Sequence, residues 1–503
     1  MFVAKHNPMK KILVANRGEI AIRVMRSARE MGISTVAIFS DADRQALHVQ
    51  YADEAIYLGE SPAAESYLSV PKVIEACKLT QADAVHPGYG FLSENPAFAE
   101  ALEQEGIKLI GPTARAMKLM GNKLSAKELA LEHQIPLIKG TTTPISDLNE
   151  ATQQAEEIGF PILIKAAAGG GGKGMRIVHN QENFPSELKL AISEATSAFG
   201  DGAVFLERYI SSPKHVEIQV LADEHGNSIY LFERECSIQR RHQKVIEEAP
   251  CIVLPPEVRE KMGQCALKLV EACQYTGVGT VEFIVDQQLN FYFLEMNTRL
   301  QVEHPITEMI TGVDLVKEQI KVAQGKTLSL SQQELHIRGH AIELRIYAED
   351  PENNFLPDTG TLLSYKLPSG PGVRVDNAYD AGMEVSVYYD PMIAKLSVWG
   401  NDRNEAIQRM KRAIREYKIT GIKNTLNFGT FVLNHPAFKD GTYNTNFVSE
   451  HYDSETGEVN DQDARIAALI ANHIFRKEYR QMESATNPET QNNPSNWKRN
   501  RTI

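Results

Sequence analysis

Apolar positions recur along this chain at two spacings, and the change from one to the other marks its elements. KILVA is a short continuous apolar strand, EIAIRVMRSAREMG repeats its apolar residues every three or four positions as an amphipathic helix does, and STVAIF is again a strand. Strand, helix, strand in that order opens a parallel α/β layer, so a Rossmann-like first domain is expected over 1–121. Its loop NRGEIA is too poor in glycine for a dinucleotide fingerprint, which predicts the shape without NAD. HPGYGFLSENP reads as a Gly/Pro turn with a helix cap at Ser93 or Asn95.

A second domain is expected over 122–335, with strands at FPILIK, VFLERYI, HVEIQVLAD, TVEFIV and FYFLEMN joined by glycine-bearing turns. A third, mixed α+β unit over 336–451 opens on GHAIELRIYAED. It carries turn clusters at PDTG and PSGPG and a helix whose stripe is Ala406, Ile407, Met410, Ala413, Ile414 and Tyr417. In 452–503 a helical stripe of Ile466, Leu469, Ile470 and Ile474 either packs on the third domain or docks a partner. The polar tail after it is expected to be disordered.

The most informative stretch is EMNTRLQVEH, Glu295 to His304. Read as extended chain, period two sets Glu295, Asn297, Arg299, Gln301 and Glu303 on one face and Met296, Thr298, Leu300 and Val302 on the other. Two carboxylates, two amides and an arginine suit a metal and a small anion; the competing reading is the solvent face of an edge strand. Glu282, between apolar neighbours in TVEFIV, adds a carboxylate. Burying such a group unpaired costs several kcal/mol, so Glu282 and Glu295 need cations. With Asn297 they form a hard oxygen site suited to Mg²⁺, unless a lysine or arginine pairs with them instead.

Three further patterns carry candidate chemistry. Lys165 ends ILIK and precedes AAAGGGGKGMRIV, a glycine hairpin that fits neither the Rossmann nor the Walker pattern. It is either a plain turn or a flap whose N–H groups close over phosphates. ERECSIQRRHQKVIEEA is either the solvated face of an exposed strand or a run whose His242 and Lys244, alternating with Gln243, point into the pocket of Lys165. In AIELRIY, Glu343, Arg345 and Tyr347 share a face, so Arg345 is paired to Glu343 or kept for an anion.

Bulk properties narrow the class. A net charge of −12 and a pI near 5.7 argue against a nucleic-acid or membrane surface, so an anionic substrate has to be caught in a pocket. Cys77, Cys236, Cys251, Cys265 and Cys273 form no C-x-x-C pair, which disfavours structural zinc and a disulfide framework. No apolar run has the length of a membrane span and MFVAKHNP lacks the apolar core of a signal peptide, so a cytoplasmic protein is expected.

Together, KAAAGGGGKGM, RECSIQRRHQK, EMNTRLQVEH and RIYAEDP, with NRGEIAIR and HPGYGFLSEN, resemble the biotin carboxylase family of ATP-grasp enzymes over about Met9 to His451. The resemblance implies an ATP-grasp central domain with a mobile lid at about 138–210. It also implies ATP- and bicarbonate-dependent carboxylation of biotin through carboxyphosphate. By the same resemblance Lys123, Lys165, Gly171, Gly172, Glu207, Arg208, Tyr209, Ile210, His215, Gln239 and His242 bind ATP, with Arg208 standing where lysine is common. Glu282, Glu295 and Asn297 hold Mg²⁺ or Mn²⁺, two ions being expected. Lys244, Arg299, Gln301 and the Val302 backbone bind bicarbonate, Glu303 is its base, and Arg345 contacts biotin or carboxyphosphate.

Biotin is expected on a separate carrier protein, since the only string like the family's biotinyl A-M-K-M is Ala116-Met117-Lys118-Leu119, in a helical stretch. A separate carboxyltransferase and a homodimer are implied as well. The resemblance implies an acyl-CoA carboxylase of acetyl- or propionyl-CoA type, and YYDPMIAKL is more similar to the branch handling propionyl or related thioesters than to a minimal acetyl-CoA subunit. The rivals are a biotin carboxylase subunit like that of pyruvate carboxylase, another ATP-grasp carboxylate–amine ligase, or a silent nucleotide-binding regulator.

Overall fold

The computed structural model describes residues 9–141, 143–145, 147–166, 175–199, 202–241 and 243–452, and isolated positions between 465 and 476. Residues up to Tyr452 form one compact unit and those from Asp453 a second. Of the C-terminal stripe, Ile466, Ile470 and Ile474 and the tail after them lie outside the described residues, while Leu469 is exposed. Among the described residues no helix is long and apolar enough to cross a membrane.

The first layer is a parallel five-stranded sheet. Lys11–Val14 lies at its centre between Ser34–Ser40 and Ala84–His86, with Glu54–Gly59 and Lys108–Leu109 at the edges. Helix Gly18–Glu30 buries Ile20, Ala21, Val24, Met25 and Ala28 in the core that also takes Ile12 and Val14. Strand order reverses at the Lys11–Val14 and Ala84–His86 pair, the place where doubly wound sheets open a crevice. There the Asn16 side-chain amide donates to the carbonyls of Pro87 and Tyr89, each at 2.8 Å, and so locks NRGE against HPGYG. Gly88 is required at this contact: its φ is +63°, and a Cβ would sit 2.8 Å from Asn16 Nδ2.

The larger layer is an eight-stranded sheet. Its order is Phe291–Asn297, Gly277–Val285, Lys214–Ala222, Ser228–Arg240, Gln243–Ala249, His340–Tyr347, Met392–Gly400 and Val373–Asn377, antiparallel throughout. Backbone pairing of Gln243–Ala249 with His340–Tyr347 carries it across the boundary proposed at 335. Val281, Phe283, Ile218 and Val220 alternate toward one core, and Ala406, Ile407, Met410, Ala413 and Ile414 of helix Arg403–Glu416 pack another. Each fully buried Val, Ile, Phe or Met side chain among these contributes about 1.5–3 kcal/mol, and the alanines less.

The third layer is the three-stranded antiparallel sheet Met175–Val178, Ile162–Ala166 and Val204–Arg208. Helices Leu148–Ile158 and Phe184–Phe199 belong to its own apolar core, around Ile162, Ile164, Phe184 and Leu206.

Two local expectations change. The extended ribbon from Glu295 stops at Asn297, because the next N–H, that of Thr298, goes to the Glu94 carboxylate at 2.9 Å and leaves the ladder. Period two still orders the apolar back, with Met296, Thr298 and Leu300 buried, until the turn at Val302. The charge run from Glu233 is no solvated face, since Glu233, Arg234, Glu235, Glu247 and Glu248 have no exposure. The two strands carrying it lie in the middle of the large sheet, where only mutual pairing lets charges stay buried.

Candidate active site

One face of the large sheet is polar where the other is core. Its register sets Glu295 opposite Glu282, Glu282 opposite Glu217, and Glu217 opposite Arg234, a row of charge across four strands. Arg234, fully buried, donates through Nε to Glu217 at 2.6 Å and through Nη1 to Gln219 and Thr307 at 2.7 and 2.8 Å.

Lys244 reaches this row from Gln243–Ala249. Its Nζ lies 2.5 Å from Glu217, 2.9 Å from Glu282 and 2.8 Å from Glu303, and donates to Gln301 Oε1 at 3.3 Å. Burial alone would lower its pKa; Glu217, Glu282 and Glu303 override that and hold it well above the usual lysine range. The reciprocal effect keeps the acids ionised. Burial pushes Glu282 and Glu303 up, but Lys244 with His215 drives the first, and Lys244 with Arg345 the second, well below the carboxylate range.

Glu295 behaves in the opposite way. Burial raises its pKa and the adjacent Glu282 charge raises it further. Among the described residues no group donates a hydrogen bond to its side chain. The Asn297 side-chain amide donates to Glu282 Oε1 at 2.9 Å, and its Oδ1 accepts from Arg299 Nη2 at 3.0 Å. So the alternative of a salt bridge is realised for Glu282 and not for Glu295. Two neighbouring carboxylates, one of them short of positive charge, fit a divalent cation.

Arg345 pairs across strands rather than with Glu343. Its Nε donates to Glu247 at 2.6 Å and its Nη2 to Glu303 at 3.0 Å, while Glu343 accepts from Ser397 at 2.7 Å. Residues two apart on one strand are separated by roughly 6.6 Å, so a long side chain meets a cross-strand acceptor more easily. Arg299 is partly exposed and donates to Glu94 at 2.8 Å. Thus Asn297, Arg299, Gln301 and Glu303 do converge with Glu282 and Lys244, through a strand end and a turn rather than one ribbon. The Val302 carbonyl in that turn accepts from Lys395 at 2.8 Å.

Of the other expected residues, the small sheet carries Lys165, Glu207 and Arg208, and the large one carries His215 and Gln239. Lys165 and Lys127 both bind the Glu207 carboxylate, and their charges outweigh burial to lower its pKa. His215 Nε2 lies 2.9 Å from Glu282, and Gln239 Nε2 donates to His215 Nδ1 at 2.9 Å. Lys123, at the start of helix Lys123–Glu132, exerts the strongest cationic influence on Glu295. Arg208, Tyr209 and Ile210 line a cavity of about 540 Å³ with Leu137, Pro161 and Tyr292. Gly171, Gly172 and His242 lie outside the described residues.

Sequence reasoning misses Glu217, Glu94, Glu247 and Lys127. Glu217 carries a usable signal, a lone carboxylate in the apolar strand HVEIQV, the same setting as Glu282 in TVEFIV. Glu94 hides between the two cap candidates, of which Asn95 is the cap, accepting from the Phe98 N–H at 3.1 Å.

Family models match in chain order: biotin carboxylase N-terminal domain over 8–117, carbamoyl-phosphate synthase L chain ATP-binding domain over 122–331, and biotin carboxylase C-terminal domain over 343–450. One pyruvate carboxylase subunit of Methanothermobacter thermautotrophicus is 52% identical over 88% of this chain and 90% of its own. Biotin carboxylase of Nostoc sp. is 51% identical over 88% of this chain and 98% of its own. Among solved structures, the biotin carboxylase domain dimer of Hydrogenobacter thermophilus 2-oxoglutarate carboxylase, in complex with MgADP, ADP and bicarbonate, superposes with a TM-score of 0.82. It is 46% identical, covering 88% of this chain and 97% of that one.

Proposed function

This chain belongs to the biotin carboxylase family, and from that premise we propose that the Lys244, Glu303 and Arg345 cluster is where bicarbonate is held and deprotonated. The enzyme is an ATP-dependent ligase that uses ATP, Mg²⁺ and bicarbonate to carboxylate biotin. The observation that carries the site assignment is the single ammonium of Lys244 shared among Glu217, Glu282 and Glu303.

Bicarbonate is a poor nucleophile until its proton is taken, which requires a carboxylate within hydrogen-bond reach. Glu303 is that base. In the resting cluster Lys244 and Arg345 depress its pKa; an anion seated between them shares their charge and returns Glu303 toward the range in which it accepts a proton. Arg299 and Arg345 remain cationic throughout, so they stabilise charge developing on the carboxyl donor and on biotin. Glu282, Glu295 and Asn297 are the residues that would hold the divalent ion, which supplies positive charge to the transferring phosphate. Lys123, Lys165, Glu207, Arg208, Tyr209, Ile210, His215 and Gln239 form the nucleotide side, and the small sheet is the lid that excludes water from carboxyphosphate.

Biotin comes on a separate carrier protein, and the product passes to a carboxyltransferase. Supporting this, Ala116-Met117-Lys118-Leu119 lies within helix Ala114–Gly121 with Met117 buried, not in an exposed hairpin. A homodimer is our reading from the dimeric relative, and a reducing cytosol our reading from five free cysteines. The acceptor is an acyl-CoA or a keto acid, because relatives of both kinds match almost equally. Within YYDPMIAKL, Tyr389 serves the fold itself, since it donates to the Ser61 carbonyl and its ring lies 4.3 Å from the Arg17 guanidinium.

The test is phosphate release from ATP with and without bicarbonate and free biotin. Wild-type enzyme is expected to respond to both. Glu303→Gln should keep ATP binding and lose carboxylation, and retained biotin-dependent turnover would overturn the assignment.

A further inference from the structure

Lys395, on strand Met392–Gly400 of the third segment, has no solvent exposure and belongs to none of the groups assigned above. Its best-formed contact is to a neutral acceptor, the Val302 carbonyl at 2.8 Å. Carboxylates lie farther off, Glu19 at 3.4 Å and Asp376 at 3.9 Å. A buried ammonium ordinarily makes its shortest contact with a carboxylate. Here both acids have other donors: Asp376 accepts from Arg374 at 3.0 and 2.7 Å, and Glu19 takes the Tyr89 hydroxyl.

Register adds an independent observation. Lys395 stands directly opposite Arg345 in the sheet, and like charges so placed repel. The arrangement holds because both aim at one turn, Arg345 at the Glu303 carboxylate and Lys395 at the carbonyl one residue earlier. The preceding carbonyl, that of Gln301, is also held, 2.8 Å from His304 Nδ1. Two successive carbonyls of the turn are therefore fixed by side chains, while Gln301 and Glu303 meet Lys244.

We propose that Lys395 is a positioning residue for bicarbonate: by holding the Val302 carbonyl it fixes the Gln301–Glu303 turn against Lys244 and Arg345. Through Glu19, on helix Gly18–Glu30, it also ties that turn to the first layer. Among the described residues it touches none of those on the nucleotide or metal side, so its loss falls on bicarbonate and spares ATP. The proposal rests on the bicarbonate reading above.

The experiment measures ATP cleavage against bicarbonate and against ATP for wild type, Lys395→Met and Lys395→Arg. Lys395→Met should raise the KM for bicarbonate about tenfold or more with the KM for ATP within about twofold. Lys395→Arg keeps the charge beside Glu19 and Asp376 but displaces the donor, so it should show the same split at about threefold; it decides the matter if the methionine variant does not fold. Both constants rising together, or an unchanged bicarbonate KM, would overturn the role of Lys395. A wild type indifferent to bicarbonate would instead overturn the functional reading itself.

Discussion

Lys244 illustrates how much one side chain holds in place. Without its ammonium Glu217 keeps Arg234 and Glu303 keeps Arg345, but among the described residues Glu282 keeps only His215 and the Asn297 and Gln301 amides. Removing one partner from a buried charge cluster costs about 3–5 kcal/mol, so Lys244→Met should lower the unfolding free energy by about that much at pH 7. The sign with pH follows from the acids: Glu282 and Glu303 are depressed by Lys244, so their contribution exists above the unfolded carboxylate pKa and is lost as pH falls. The gap between wild type and variant should therefore narrow in acid, as read from urea midpoints. Single residues are legible in sequence when they violate their local setting, as Glu282 does among apolar neighbours. Glu94 and Glu247 violate nothing locally; their meaning comes from Arg299 and Arg345, respectively 205 and 98 residues away.

At the level of elements, period-two and period-3.6 patterns place FPILIK, HVEIQVLAD, TVEFIV, FYFLEMN and the helix over Arg403–Glu416. They fail where a side chain from elsewhere competes for the backbone, as Glu94 does for Thr298, and where charged strands are interior because their neighbours neutralise them. The small sheet, with its own core, should open independently of the rest. Asp147 caps its helix Leu148–Ile158 by accepting the N–H groups of Asn149 and Glu150, both at 2.9 Å. Asp147→Ala is expected to cost about 1 kcal/mol there. Hydrogen exchange should quicken in this helix and leave the large sheet unchanged; uniform quickening would contradict an independent lid.

For the molecule as a whole, buried acids of two kinds set the pH response. Burial pushes Glu19 and Glu343 up to about 7 and Glu247 up to about 8. These hold protons when folded that the unfolded chain has released, so their stabilisation is full in acid and fades as pH climbs from the unfolded carboxylate value through about 8. Glu248 works the other way: burial opposes it, but His340 and Arg403 bring it down to about 2, and its contribution fades as pH falls toward that value. Stability should peak in mild acid, near the unfolded carboxylate value, and decline from there through about pH 8, and Glu343→Gln should flatten that decline. A urea midpoint that stays level across this range in wild type would refute the account.

The sheet that continues past residue 335 has a practical corollary for anyone dissecting the protein. Cutting the gene there would strip His340–Tyr347 of Gln243–Ala249 and leave a long, apolar-flanked row of backbone amides and carbonyls open to any passing strand. The fragments would then be drawn to each other, or to copies of themselves, before either could be called a module.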